Sequence, residues 1–570
     1  MHRTDEGGRP MRARRGVGVL TALALTVSGC TLVGGEDPPE TSGSTSAPVS
    51  TPRETTVETF DPPLGGRDWV VVVEDPADTQ DVADALKADG LDLTSINTGI
   101  GMVTLRSTAR DVAERAKGVD GVSAAVTDRS TNWHPPHVPL PSDGDLTPAT
   151  DIPAPPDAPE GGDPFDGWLW GLEEIDAAGA HEVTTGRREV RVGVIDTGVD
   201  SSHPDLAPVL DTGLSRSFVS DLPEIDGSCE VDSCVDPVGV DDGGHGTHVA
   251  GTIAAAANDL GVTGVAPGIT LVDLRAGQDS GTFFLGPTVN ALTYAADQQL
   301  DVVNMSYYVD PWLVACPGGA KGDSPEQADF QDVALELMHR AYDLTHEAGV
   351  TIVTSAGNEG ADVGSRGPDE TSPNYGDDAH ARTVDPQECE RMPLDGEHVI
   401  GVASIDEGAV RSTFSNWTSD PDDGRIDVAA PGGQEPDGRG GILSALPRDL
   451  ARTEGSVDDE GRVTESGNEQ VVRSCPDGIG ETDPDPDRRC GLYTWLQGTS
   501  MASPHVTGTA ALIISAHGER MSPDDVAARL LETAVDQPCP ADEGSVTCAG
   551  TTQRNGIFGE GVVDAGAAVR

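Results

Sequence analysis

Three side chains in this chain of 570 residues have types and settings suited to nucleophilic chemistry: Asp196, His245 and Ser500. The apolar run Val190–Ile195 ends in Asp196-Thr197-Gly198, and a carboxylate at the carboxyl end of a buried strand is well placed to serve a site. The tripeptide alone is ambiguous, because enzymes that share one proton between two carboxylates carry it too. His245 stands in Gly244-His245-Gly246-Thr247-His248-Val249-Ala250-Gly251-Thr252, where the glycines let backbone approach closely. Ser500 stands in Gly498-Thr499-Ser500-Met501-Ala502-Ser503-Pro504-His505-Val506, where a glycine-rich turn becomes a helix whose N-terminus favours developing negative charge. A serine hydroxyl is a weak nucleophile until a base takes its proton, and imidazole titrates near neutrality. A carboxylate on the other ring nitrogen would fix the tautomer.

The elements that must position these groups alternate between strands and helices. Short apolar runs at Val190–Ile195, Thr270–Leu274, Leu300–Met305, Val350–Thr354 and Val399–Val402 are separated by helical stretches at Val289–Gln298, Asp329–Ala348 and Pro504–Ala516. This pattern predicts an α/β domain with a mainly parallel sheet, its site at the carboxyl ends of the strands. Ahead of it lies a smaller unit. Trp69–Val73 reads as a strand, Asp78 as the cap of a helix, and two strands follow near Leu91–Ile96 and Met102–Leu105. Thr108 reads as the cap of a second helix, and Val122–Thr127 is the last strand. The order β-α-β-β-α-β predicts a ferredoxin-like α+β domain. Proline, serine and threonine-rich stretches on either side read as spacers. The expected division is a signal peptide over 1–29, a disordered linker over 31–66, the small domain over 67–131, a Pro-rich linker over 132–163 and the large domain over 164–570.

With all three frames in the order Asp, His, Ser, the chain resembles the subtilisin-like serine peptidases from about Phe165 onward. The resemblance implies a three-layer α/β fold and a serine endopeptidase with Ser500 as nucleophile, His245 as general base and Asp196 orienting it. Val353-Thr354-Ser355-Ala356-Gly357-Asn358-Glu359-Gly360 resembles the family's oxyanion motif, which gives Asn358 the role of oxyanion donor beside the Ser500 N–H. Substrate contacts are implied at Ser306, Tyr307, Tyr308, Gly357 and Glu359. Asn304-Met305-Ser306-Tyr307-Tyr308 departs from the family's usual Asn-Met-Ser-Leu-Gly, and Tyr308 adds bulk where backbone must approach a peptide. A structural calcium ion is implied at Asp205 and Asn258, completed by the carbonyls of Ala256, Leu260 and Val262. The small domain resembles the family's inhibitory propeptide, so a zymogen is expected. The alternative is an inactive fold of this type serving as a surface binding protein.

Composition sets the compartment and the partners. With 97 acidic against 36 basic residues the net charge is -61, which argues against nucleic acid and anionic membrane surfaces. Protein or peptide substrates fit, and a monomer is expected. Arg12, Arg14 and Arg15 precede an apolar run from Val17 to Val27, too short to span a bilayer permanently. It ends in Val27-Ser28-Gly29-Cys30, which resembles a bacterial lipobox and implies lipidation at Cys30. The other eight cysteines are read as four sequential disulfides of an exported protein: Cys229 with Cys234, Cys316 with Cys389, Cys475 with Cys490, and Cys539 with Cys548.

Overall fold

The computed structural model describes residues 50–60, 66–128, 156, 158, 162–226, 233–370, 372–374, 379–434, 440–467, 470–476, 478–480, 483–540 and 546–570. The expected signal peptide, Cys30 and Cys229 lie outside the described residues.

The first unit runs β1 (Val57–Thr59), β2 (Arg67–Val73), α1 (Thr79–Ala88), β3 (Asp92–Asn97), β4 (Met102–Ser107), α2 (Val112–Lys117) and β5 (Val122–Thr127). Its sheet is antiparallel in the order β1-β3-β4-β2-β5. The unbroken valine run in β2 is explained by burial on both faces. Val71 and Val73 turn to α1 and α2 with Val82, Leu86 and Ala116, while Val70 and Val72 turn the other way with Met102 and Val126, as a period of two requires. Two details differ from the sequence reading. The second helix begins at Val112, after Asp111 rather than Thr108. The linker expected over 31–66 is ordered over its described part, because β1 adds to the sheet edge and Asp297 accepts the Thr56 N–H at 2.7 Å.

The large unit is built on an eight-stranded sheet of β6 (Arg191–Ile195), β7 (Arg216–Ser217), β8 (Thr270–Arg275), β9 (Val302–Met305), β10 (Thr351–Ser355), β11 (Val399–Asp406), β12 (Val410–Arg411) and β13 (Val428–Pro431). The order is β12-β11-β10-β9-β6-β8-β7, with β13 beside β11, and every pairing is parallel except the β11–β12 hairpin. Helices cover both faces. The buried helices α3 (His245–Ala254) and α6 (Thr499–His517) pack against Val192 and Val194 on one side. On the other side α4 (Leu285–Asp297) and α5 (Pro325–Glu347) pack against Ile195, Val303 and Met305. This is the expected three-layer α/β architecture.

The side of α4 and α5 turned away from the large sheet carries the small domain. Val70, Val72, Ile100 and Met102 share one core with Leu285, Val289 and Ala341. Asn97 donates to Asn290 at 3.1 Å and to Thr293 at 3.0 Å, and Arg340 donates to the carbonyls of Val73 and Ile100. Asp128 accepts the Leu285 and Gly286 N–H groups, a carboxylate at the start of α4. The segment ahead of Ser500 forms a three-stranded antiparallel sheet, β14 (Ile442–Ala445), β15 (Val471–Ser474) and β16 (Gly491–Leu496). Disulfides join Cys316 to Cys389, Cys475 to Cys490 and Cys539 to Cys548, three of the four expected pairs. Among the described residues no helix is long and apolar enough to cross a membrane.

Candidate active site

Asp196 follows the last residue of β6 and is fully buried. His245 is the first residue of α3, and its Nδ1 lies 2.8 Å from Asp196 Oδ1. The Thr197 N–H donates to the same oxygen at 2.8 Å, so the carboxylate is held from its own turn. Close approach of α3 to this strand end depends on glycine. A Cβ at Gly246 would lie 2.1 Å from the Gly198 carbonyl oxygen, and Gly244 caps the helix at φ 77°. Burial disfavours the charged ring of His245, but the charge and hydrogen bond of Asp196, with the charge of Asp241, together outweigh that and raise its pKa. His248, one turn on, is different: Nε2 faces the carbonyl of Ile442 at 2.9 Å, and burial lowers its pKa to about 3. It is a neutral core histidine.

Ser500 is the second residue of α6. Its hydroxyl donates to the Ser306 carbonyl at 3.0 Å, and among the described residues no hydrogen bond joins it to His245. The Ser306 hydroxyl in turn donates to the Ser500 carbonyl at 3.0 Å and meets Ser503 Oγ at 2.7 Å. Asn304 donates to Ser306 Oγ and accepts from Thr507, tying the end of β9 to α6. Asn358 follows β10, and its Oδ1 accepts both the N–H and the hydroxyl of Thr499 at 2.9 Å. Because those partners are donors, the amide nitrogen must point the other way.

His245, Ser500 and Asn358 line one cleft of about 410 Å³, together with all five expected substrate-contact residues, Ser306, Tyr307, Tyr308, Gly357 and Glu359. Tyr308 is held at the cleft: its hydroxyl accepts from Asn374 at 2.8 Å, and Asn374 also donates to Asp310. Tyr307 stacks on Phe283 with ring centroids 3.8 Å apart.

A sequence profile of the Subtilase family matches residues 187–561. The chain belongs to the subtilase family. Subtilisin DY of Bacillus licheniformis is 28% identical over 345 residues, covering 60% of this chain and 83% of that protein. Fervidolysin of Fervidobacterium pennivorans is 30% identical over 352 residues, covering 61% of this chain and 37% of its own length. The fold is shared with the epidermin leader peptide processing serine protease of Staphylococcus aureus, with TM-score 0.55, 18% identity, and coverage of 88% of this chain and 97% of that one. The solved structure of fervidolysin aligns with TM-score 0.51 at 22% identity, over 91% of this chain and 64% of the other.

The expected cation loop of this subtilase is assembled in part from residues the sequence did not mark. Asn258 Nδ2 lies 3.2 Å from Asp205 Oδ1, bringing together the two expected side chains. Asp205 Oδ2 is taken by the Tyr493 hydroxyl at 2.7 Å and the Val262 N–H at 3.3 Å. Among the described residues the carbonyls of the buried Ala256, Leu260 and Val262 accept no hydrogen bond, whereas those of Ala255 and Gly261 do. Asp163, placed at the end of a spacer by sequence, accepts the N–H groups of Asn258 and Asp259. Burial and the neighbouring Asp166 raise its pKa to about 6. Burial raises Asp205 well above the carboxylate range, with Asp163 adding to it. Uncommitted carbonyls beside crowded carboxylates fit a hard cation. Among the described residues, the groups of three acidic or histidine side chains close enough to share an ion lie elsewhere, at Asp236, Asp242 and Asp279 and around His398.

Two further residues escaped the sequence reading. Asp241 is fully buried and accepts from Gly244 N, Thr247 N, Thr247 Oγ1 and Thr197 Oγ1, capping α3 and bracing the Asp196 turn. An acid just ahead of a helix is the signal that marks it. Asp-Thr-Gly also recurs at Asp211-Thr212-Gly213. There the carboxylate accepts the N–H groups of Ser50, Gly213 and Leu214, a structural use.

Proposed function

We propose that this subtilase is an exported serine endopeptidase that cleaves peptide bonds through an acyl-enzyme on Ser500. The observation that carries the reading is the His245–Asp196 bond of 2.8 Å in the cleft that also holds Ser500 and Asn358. Rotation of the Ser500 hydroxyl away from Ser306 presents its proton to His245 Nε2 as Oγ attacks the scissile carbonyl. Asn358 Nδ2 and the Ser500 N–H receive the oxyanion. His245 then passes the proton to the departing amine, and water releases the acyl group by the same steps reversed. Asp196 keeps its charge throughout and stabilises the imidazolium.

The small domain acts as an intramolecular chaperone and inhibitor, which its shared core with α4 and α5 supports. Release follows cleavage between about 128 and 163. Calcium at Asp205 and Asn258, with the carbonyls of Ala256, Leu260 and Val262, supplies structural stability. Three disulfides support an oxidising compartment, with tethering through Cys30. The test is expression of the full chain and of Ser500→Ala with casein as substrate. Wild type hydrolyses casein and yields a shorter processed form; the variant does neither. Equal casein hydrolysis by both overturns the reading.

A further inference from the structure

Arg391 lines the same cleft as His245, Ser500 and Asn358. Its segment continues into Met392, Pro393 and Leu394, and Leu394 shares an apolar cluster with Ala356, two residues before Asn358. Beside the oxyanion donor the cleft is therefore walled by the apolar Met392, Pro393 and Leu394 and by one guanidinium, with Glu359 and Asn416 lining it as well. That guanidinium is half-buried, its Nε has no hydrogen-bond partner, and among the described residues it forms no ion pair. The carboxylates near enough to act on it are Asp395, Glu359 and Asp369; none pairs with its guanidinium among the described residues, although Glu359 lines the same cleft. Asp395 is held by Arg425 at 2.9 Å and by the Arg391 backbone N–H at 2.8 Å. Glu359 accepts from Asn416, and Asp369 pairs with Arg382. Asp310 lines the cleft as well, but its oxygens accept from Phe283 N and Asn374, and burial lifts its pKa to about 7. It carries less than a full negative charge at neutral pH.

A guanidinium partly withdrawn from water without a paired carboxylate is costly, and burial lowers the pKa of Arg391 against the pull of Asp395 and Glu359. A substrate carboxylate would complete it with a bidentate, charge-assisted pair. A peptide whose scissile carbonyl lay between Ser500 and Asn358 would have the side chain of that residue in the cleft that Arg391 also lines. We propose that Arg391 sets the specificity of the enzyme for an acidic residue, glutamate or aspartate, immediately before the cleaved bond. This rests on the peptidase reading above.

The test uses tetrapeptide anilides that differ only in the last residue, Glu, Asp, Gln, Leu or Lys, with the full chain. Wild type is expected to favour Glu over Gln in kcat/KM by roughly ten- to hundred-fold, the worth of a charged hydrogen-bonded pair. Arg391→Gln should bring that ratio near one while the Leu peptide is still cleaved, and Arg391→Glu should turn the preference to Lys. Where a variant does not fold, the wild-type Glu to Gln ratio remains the readout. Ser500-dependent cleavage with Gln, Leu or Lys as good as Glu overturns the role of Arg391 alone. Absence of Ser500-dependent cleavage of every peptide overturns the peptidase reading and this proposal with it.

Discussion

Asn358 Oδ1 accepts two hydrogen bonds from one residue, the Thr499 N–H and the Thr499 hydroxyl, both at 2.9 Å. The Thr499 hydroxyl also accepts the Gly357 N–H at 3.1 Å, so the residue before Ser500 locks the amide that would face the oxyanion. Asn358→Ala is expected to lower kcat roughly a hundred- to thousand-fold with little change in KM, the size known for this kind of donor in a subtilisin. Thr499→Val keeps the N–H and loses the hydroxyl, so its loss in kcat should be smaller. Steady-state kinetics on one peptide anilide check both; an Asn358→Ala enzyme with unchanged kcat contradicts the assignment.

The His245–Asp196 pair predicts a pH profile. Burial opposes charging the ring, and Asp196 together with Asp241 more than offsets it, so the pKa stands above 6.5. The free base is needed, hence kcat/KM should rise with pH through a single midpoint above that value. Asp196→Asn should lower the midpoint and cut kcat by about ten-thousand-fold. Stability runs the other way: the folded ring holds its proton more tightly than the unfolded one. The pair therefore stabilises the fold below pH 6.5 and loses that contribution as pH rises through the folded value. A midpoint unmoved by Asp196→Asn counts against the pairing.

Asp241 tests the support beneath His245. Replacement by alanine leaves the Gly244 and Thr247 N–H groups and the Thr197 hydroxyl without their acceptor. The expected cost is at least about 2 kcal/mol of stability, read as a lower Tm, with kcat falling while KM holds. Asp241→Asn, which keeps one acceptor oxygen, should recover part of both.

Removal of divalent cations should lower Tm through the Asp205 loop. Full occupancy at a hundred times Kd is worth about 2.7 kcal/mol, so a chelator is expected to cost that order of stability and calcium to restore it. Asn258→Ala should abolish the response to calcium. A Tm indifferent to chelator in wild type would remove the cation from the account.

The strands and helices around the site were legible because each carries its own period and length. Val192 and Val194 face α3 and α6 while Ile195 faces α4, an alternation written in the sequence. The glycine frames of His245 and Ser500 were legible for a similar reason, since close approach leaves only one residue type possible. Arg391, Asp163 and Tyr493 were not legible. Asp163 and Tyr493 act on partners far away in sequence, as Tyr493 does on Asp205 across 288 residues. Arg391 meets the site only because the fold brings it into the cleft. Nothing in their own neighbourhoods announces this. Tyr308 was legible as a departure, but its direction was set by Asn374, 66 residues later.

The most direct measurement is covalent labelling of the full chain with a fluorophosphonate, followed by peptide mapping. The account predicts one modified residue, Ser500, with labelling lost in Ser500→Ala and greatly slowed in His245→Ala. Labelling that is equal in wild type and Ser500→Ala, or that maps to another residue, would contradict it.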